Sequence, residues 1–308
     1  MKDALASLLY LIAAAAGRLP WAWSNALGDG VAALWRRLDA REARVARRNL
    51  ELAFPAMPGP EREALQRRIL RTTARQALET LRLWTRPHAT NLALIRDTHG
   101  TALFDAAIAA GEGVIVAAPH YGNWELLNQW LASRTPISVL YRPPESAVGE
   151  AFLQRVRADA SGRVTQVPAE GAAVRRLLRV LQDGGVVGIL PDQQPKAGEG
   201  VFAPFFGKPA LTMALLPRLA ARTRARVLLA YCERIASEGA TPAFALRIEA
   251  APEAVAADDT VAGATALNAA IEAIARRDPA QYQWTYKRYT LRPPGSGETN
   301  PYRDLERH

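Results

Sequence analysis

From about Thr101 onward, short runs rich in β-branched residues alternate with helical stretches, and this alternation restricts the chain more than any other feature. The helical ALFDAAIAAGEG leads into VIVAAPH, and WELLNQWLAS leads into ISVLYR, which Pro143 and Pro144 end. FLQRVRADASG is followed by the extended RVTQVP, and GAAVRRLLRVLQDG closes at Gly184 before the apolar VVGILPD. TMALLPRLAARTR is helical again. Two strands, RVLLAYCERI and AFALRIEA, and a long helix through ATALNAAIEAIARR follow. Strands alternating with helices of this length predict an α/β fold, a mostly parallel sheet covered by helices. A chain of 308 residues is ample for such a core. There is no internal repeat, and neither the GxGxxG dinucleotide fingerprint nor a Walker A loop is present.

The first hundred residues have another character. Ala4 to Gly17 form an apolar run, shorter than the roughly 20 residues an upright span needs. The tryptophan-rich LPWAWSNALGDGVAALW follows with no clear boundary, which argues against a cleaved signal peptide. Trp21, Trp23 and Trp35 suit a membrane interface, apolar in the ring and polar at the indole N–H. Residues 1–38 therefore read as a hydrophobic, amphipathic membrane anchor and 39–308 as a second domain, the alternative for the anchor being a core helix. Arg36, Arg37, Arg41, Arg44, Arg47 and Arg48 crowd the next stretch, as expected for contact with anionic lipid or for a solvated helix face with local acidic partners. A further helix is expected from Pro60 to Trp84, stopping at Pro87.

The formal net charge of +9 favours acidic partners, namely anionic lipid, an acidic carrier protein or nucleic acid. The lone Cys232 excludes an intramolecular disulfide and a cysteine metal site, and its neighbours in RVLLAYC predict a buried, inert thiol. His88, His99, His120 and His308 show no metal-site spacing.

The chemistry concentrates in PHYGNWE. His120 stands just past the carboxyl end of a predicted strand, where open α/β sheets place their ligands. Gly122 permits a turn, Asn123 is a good N-cap for a helix starting at Trp124, and Glu125 falls in its first turn. On one helix, positions five apart are about 140° out of phase. On either side of a turn they can meet, and the Glu125 carboxylate would fix the tautomer of His120 and raise the basicity of its other nitrogen. The bland alternative is a strand-end histidine with an ordinary first-turn glutamate. No GxSxG elbow supplies a nucleophile, so a His–carboxylate pair points to the substrate's own hydroxyl attacking an already activated thioester.

The chain resembles the late acyltransferases of lipid A biosynthesis, in the lysophospholipid acyltransferase superfamily. Its HYGNWE fits the HxGNWE of that branch, and His120 with Glu125 fits the superfamily's His-x-x-x-x-Asp/Glu. RRNLELAFP, ALETLRLW, LYRPPE, LPDQ, VFAPFFGKPALT and QYQWTYKRY continue the likeness in order along nearly the whole chain. The resemblance implies His120 as general base and Glu125 as its orienting carboxylate, with Asn123, Arg142 and Asp192 as substrate-binding residues. Arg142 and backbone amides of the Gly122–Trp124 turn are the expected oxyanion donors, and Arg142 could equally hold a sugar phosphate. The Gly- and Pro-rich segment from Pro191 to Pro209, with Phe202, Phe205 and Phe206, is expected near an acyl-chain groove. An acyl carrier protein donor, a glycolipid acceptor and an anionic membrane surface are implied as partners, with no nucleic acid and no cofactor. The location implied is the cytoplasmic face of a bacterial inner membrane. The competing readings are a relative acting on another glycolipid or phospholipid, and a non-enzymatic basic membrane-binding protein, which has no need of both His120 and Glu125.

Overall fold

The computed structural model describes residues 2–144, 146–157, 162–169 and 172–306. Helices α1 (Lys2–Ala16), α2 (Trp21–Arg37), α3 (Arg41–Ala53), α4 (Gly59–Thr85) and the short α5 (His88–Leu92) come first. The alternating region holds β1 (Ile95–His99), α6 (Thr101–Ala110), β2 (Val114–Ala117), α7 (Trp124–Arg134), β3 (Ile137–Tyr141), α8 (Ala147–Arg157), β4 (Val164–Pro168), α9 (Ala173–Gln182) and β5 (Val186–Ile189). A hairpin of β6 (Gly200–Phe205) and β7 (Lys208–Met213) precedes α10 (Leu215–Thr223), β8 (Arg226–Ile235), β9 (Ala243–Ala250) and α11 (Thr260–Arg277).

Seven strands form one sheet in the order β1-β9-β8-β2-β5-β3-β4. β8, β2, β5, β3 and β4 run parallel, while β9 turns back on β8 and carries β1 alongside it in its own direction. The expected mostly parallel sheet is present. The edge strand β1 was not legible, because IRDTH is polar and mostly exposed and pairs only where β9 offers a template. The helix read from Thr212 begins only at Leu215, because Thr212 and Met213 complete β7. The central strands are buried on both faces. Ile115, Ala117, Val187 and Ile189 meet α9, α10 and α11 on one side, and Val114, Val116 and Val186 meet α6 and α7 on the other. Residues 158–161, the end of one expected helix, and Glu145 of LYRPPE lie outside the described residues.

α1 and α2 meet at a 110° bend; among the described residues no single helix is long and apolar enough to cross a membrane, while the bent pair passes on length and composition. Their packing inverts the usual rule. The residues they bury are small, Ala6, Ala13 and Ala14 on α1 and Ser24, Gly28 and Ala32 on α2. A Cβ on Gly28 would lie 2.9 Å from Arg75 Cγ and 3.1 Å from its Cα, so glycine lets α2 approach α4 closely. The large residues Leu5, Leu8, Leu11, Ile12, Leu27 and Leu34 are exposed. Of the three tryptophans, only Trp23 is exposed, at 70%. Trp21 lies under the Arg82 guanidinium at 4.0 Å and Trp35 packs on the core, because both face the body of the domain.

The arginines from Arg36 at the end of α2 to Arg48 on α3 divide in the same way. Arg47 pairs with Asp39 at 2.8 Å, and Arg44 donates to the Asp39 carbonyl. Arg48 holds the C-terminal segment through Asp304 at 2.7 Å and the Pro301 carbonyl. These three cations are engaged within the chain, as the local-partner alternative expects, whereas Arg36 and Arg37 remain exposed.

Candidate active site

The site stands on two neighbouring strands. β2 and β5 pair in parallel with Ala117 opposite Ile189, and each strand leaves the sheet through a proline, Pro119 and Pro191. His120 and Asp192 are therefore each three residues past the same rung of the ladder. Asp192 accepts from the His120 backbone N–H at 2.9 Å and meets the ring Nδ1 at 2.7 Å. It is 2% exposed. Burial alone would raise its pKa, but the neighbouring His120 charge, the ring hydrogen bond and the backbone N–H together hold it below the usual carboxylate range.

The partners settle the tautomer. An ionised carboxylate only accepts, so Nδ1 carries the proton. The Gln193 amide donates toward Nε2 at 3.2 Å, leaving that nitrogen with its lone pair. Gln193 is itself oriented by a 3.0 Å bond to Gln283. The imidazole bond expected of Glu125 is thus made by Asp192, because the pairing of β2 with β5 delivers a carboxylate directly to Nδ1. Glu125 lies buried in the first turn of α7, beside Trp124.

The turn after His120 is clamped from two sides. Gly122 takes φ 63°, and a Cβ there would fall 1.9 Å from the Cys232 carbonyl, so only glycine fits. The Gly122 N–H donates to the Gln281 carbonyl at 3.2 Å and the Asn123 N–H to the Cys232 carbonyl at 2.8 Å. Both amides are spent on holding the turn, which removes them as the expected oxyanion donors. Asn123 caps α7 as expected, accepting from the Leu126 N–H at 3.1 Å. It is also buried, and its amide nitrogen lies 3.5 Å from Glu79. Glu79 is paired with Arg234 at 2.5 Å. Beneath the turn, Tyr121 donates to Glu233, which is gripped by Arg247 at 2.5 Å and Arg277 at 3.1 Å. Burial pushes Glu233 up, but the hydrogen bonds from Arg277, Tyr121 and Arg247 bring its pKa down to about 2. Cys232 is fully buried and its thiol pKa is raised by burial, as the sequence predicted.

His120 opens onto a cavity of about 540 Å³ lined by Trp124, Leu140, Arg142, Leu153 and Met213 among others. A second chamber of about 700 Å³ shares Leu140, Ala169, Pro195, Lys196, Glu199 and Met213 with it and continues between α9 and α10. Arg142, at the end of β3, is exposed on the cavity wall and is the candidate oxyanion or phosphate ligand that remains available. Phe205 and Phe206 are not in either lining. They stack with Phe54, Tyr282 and Trp284 in the core beneath the hairpin. On its other side His120 borders a small polar pocket of about 190 Å³ against α4, with Thr72, Gln76 and Thr80. Among the described residues no group of three or more His, Cys, Asp or Glu is placed to hold a metal ion.

Sequence reasoning found His120, Arg142 and Asp192 at the carboxyl edge but missed Gln193, Glu233 and Asn49. Asn49 donates to the carbonyls of Trp284 and Tyr286 and accepts from Tyr302, bracing the segment whose Gln283 N–H holds the His120 carbonyl. The only signal for Asn49 was its place in RRNLELAFP.

Residues 1–290 match the family model described as bacterial lipid A biosynthesis acyltransferase. The lipid A biosynthesis palmitoleoyltransferase of Escherichia coli (strain K12) is 26% identical over 278 residues, 90% of this chain and 88% of that protein. The lipid A biosynthesis lauroyltransferase of the same organism is 25% identical over 282 residues, 90% of this chain and 89% of the relative. A phosphatidylinositol mannoside acyltransferase of Mycobacterium tuberculosis (strain CDC 1551 / Oshkosh) is 28% identical over 190 residues, 60% of each chain.

Proposed function

Because the chain belongs to the bacterial lipid A biosynthesis acyltransferase family, we propose that it moves a fatty acyl group from acyl carrier protein onto a hydroxyl of a lipid A precursor, forming a secondary acyloxyacyl ester with His120 as general base. The observation that carries the mechanism is the ring of His120, with Nδ1 tied to Asp192, Nε2 met by the Gln193 amide, and the residue itself lining the cavity that Gln193, Arg142 and Leu153 share.

The acceptor hydroxyl replaces Gln193 at Nε2 and gives up its proton there as its oxygen attacks the thioester carbon. Asp192 stabilises the imidazolium that forms. The new C–O bond creates a tetrahedral oxyanion, which Arg142 is positioned at the cavity wall to meet. Collapse breaks the C–S bond, and the proton on Nε2 passes to the departing thiolate. Glu125 supports the imidazolium through its charge from the start of α7. The acyl chain lies in the two joined chambers.

The exposed leucines of α1 and α2 rest on the inner membrane at its cytoplasmic face, where a lipid acceptor is within reach. A mannosylated phosphoinositide acceptor is the second reading, favoured by the partial likeness to the mycobacterial enzyme.

The test is incubation of the purified chain with acyl-carrier thioesters and each class of acceptor, read by mass spectrometry. Transfer of one acyl group to a lipid A precursor is expected, and it disappears in His120→Ala. No product from a folded wild-type chain with any acceptor overturns the reading; product on the mannoside alone overturns the choice of acceptor.

A further inference from the structure

Several arginines have acidic partners within the chain, as on α3 and α4, where Asp39, Asp29 and Asp278 take Arg47, Arg75 and Arg68. One face gathers cations that lack such partners. Arg175, Arg176 and Arg179 on α9, Arg218 and Arg222 on α10, and Lys196 on the preceding loop are all exposed. Among the described residues none of the six has a carboxylate within ion-pair distance. They surround the outer end of the second chamber: Lys196, Arg218 and Arg222 belong to its lining, together with one carboxylate, Glu199. Val174, 45% exposed, sits among them, and Leu178 faces inward. The face is therefore a cationic rim around an apolar opening that leads to His120.

We propose that this α9–α10 face is the docking surface for the acidic carrier protein that delivers the acyl thioester, so that the acyl group enters through the second chamber. The inference rests on the acyl-transfer reading and adds to it the place where the donor binds. Two observations favour a protein donor here over lipid. The exposed leucines lie on α1 and α2, and α1 packs on α8, whose Leu153 lines the first cavity, so a lipid acceptor approaches from that end. Donor and acceptor must occupy the site together, which leaves the chamber end between α9 and α10 for the donor. A rim with a net positive charge, six cations to the single carboxylate Glu199, also attracts an oppositely charged protein over a Debye length and raises its association rate roughly 10- to 1,000-fold.

The discriminating comparison is between two donors carrying the same thioester, acyl carrier protein and acyl-pantetheine, which lacks both the protein and the phosphates. The variant is Arg175→Gln/Arg176→Gln/Arg179→Gln, whose side chains lie outside the chamber lining. Its kcat/KM with the carrier-bound donor is expected to fall at least tenfold at low salt and to lose most of its salt dependence, while its rate with acyl-pantetheine stays at the wild-type value. Fluorescence titration with the carrier alone, which needs no turnover, should show the same loss of affinity. An unchanged carrier affinity and kcat/KM overturns the proposal. So does an equal loss with both donors, or a loss confined to binding of anionic vesicles. Absence of transfer from either donor to any acceptor by the wild type would instead overturn the acyl-transfer reading, and the titration would still decide whether the face binds the carrier.

Discussion

The carboxyl edge of the sheet and the N-terminal helix pair each hold side chains where their polarity does not belong, and they do so with opposite consequences. At the edge, Asp192, Glu79 and Glu233 are buried charges. Each is tied to named partners, His120, Arg234 and the Arg247–Arg277 pair. On α1 and α2, Leu11, Ile12 and Trp23 are apolar groups that the described residues leave mostly exposed. A buried charge tolerates one arrangement, because any other leaves it unpaired in a poor solvent. An exposed leucine acts only through its area, and its neighbours can substitute for it. The first region should respond to single-atom changes, the second only to summed ones.

The sharpest probe of the edge is the imidazole. His120→Ala is expected to lower turnover by about 100- to 10,000-fold while circular dichroism stays that of a folded chain, with some loss in melting temperature because the buried Asp192 loses its ring partner. A folded variant with ordinary turnover would remove the edge from the mechanism altogether. Asp192→Asn should come next, with a loss of about 100-fold or more. The carboxylate accepts from both the His120 backbone N–H and Nδ1. An amide can accept only one of these and presents N–H to the other, which drives the ring proton toward Nε2. If Glu125→Gln costs more than Asp192→Asn, the charge that matters is that of Glu125, and the comparison moves to the first turn of α7.

Glu233→Gln tests burial without chemistry. It leaves Arg247 and Arg277 facing each other beneath Tyr121, and a stability loss of about 1–3 kcal/mol is expected, discounted because both arginines are partly solvated. The pH dependence has a definite sign. The folded pKa of Glu233 lies at about 2, below the ordinary glutamate value near 4.3, so its contribution is complete above about 4.3 and is lost as pH falls toward 2. Thermal melts between pH 2 and pH 7 should show a shallower acid loss in the variant; parallel curves would contradict the assignment.

The helix pair should behave in the reverse way. Leu8→Ser/Leu11→Ser/Ile12→Ser should leave the melting temperature almost unchanged yet reduce partition into vesicles at least tenfold, since each apolar side chain contributes about 1.5–3 kcal/mol when fully covered. Gly28→Leu, on the inner face, should destabilise by roughly 1–3 kcal/mol because α4 stands in the way. If the leucine variant melts early and the glycine variant does not, the two faces of α2 and α1 have been read backwards. The smallest effect belongs to Arg47→Gln. Its pair with Asp39 is about half exposed on both sides, and a change within roughly 1 kcal/mol in chemical denaturation is expected.

Much of this architecture was written locally. The continuous apolar runs VIVAA and VVGIL predict buried parallel strands because their neighbours in the sheet need nothing but apolar, β-branched surface. Asn123 reads as an N-cap and Gly122 as a turn because both are properties of a few consecutive bonds. The apolar run from Ala4 to Gly17 likewise announces a helix seeking an apolar surface. What the chain alone did not decide was partnership. Asp192 is 72 residues from His120, and it reaches Nδ1 only because β5 lies beside β2 in register. Glu125, five residues away, was the nearer choice in sequence and the wrong one for that hydrogen bond. The same holds for the arginines. Those of α3 look like a lipid-binding stripe until Asp304 and Asp39 arrive to pair with them, whereas those of α9 and α10 have no carboxylate in ion-pair distance among the described residues. Backbone preference and hydrophobic pattern act over a few residues, so sequence carries them; an ion pair depends on distance through space, and only the folded sheet sets that distance.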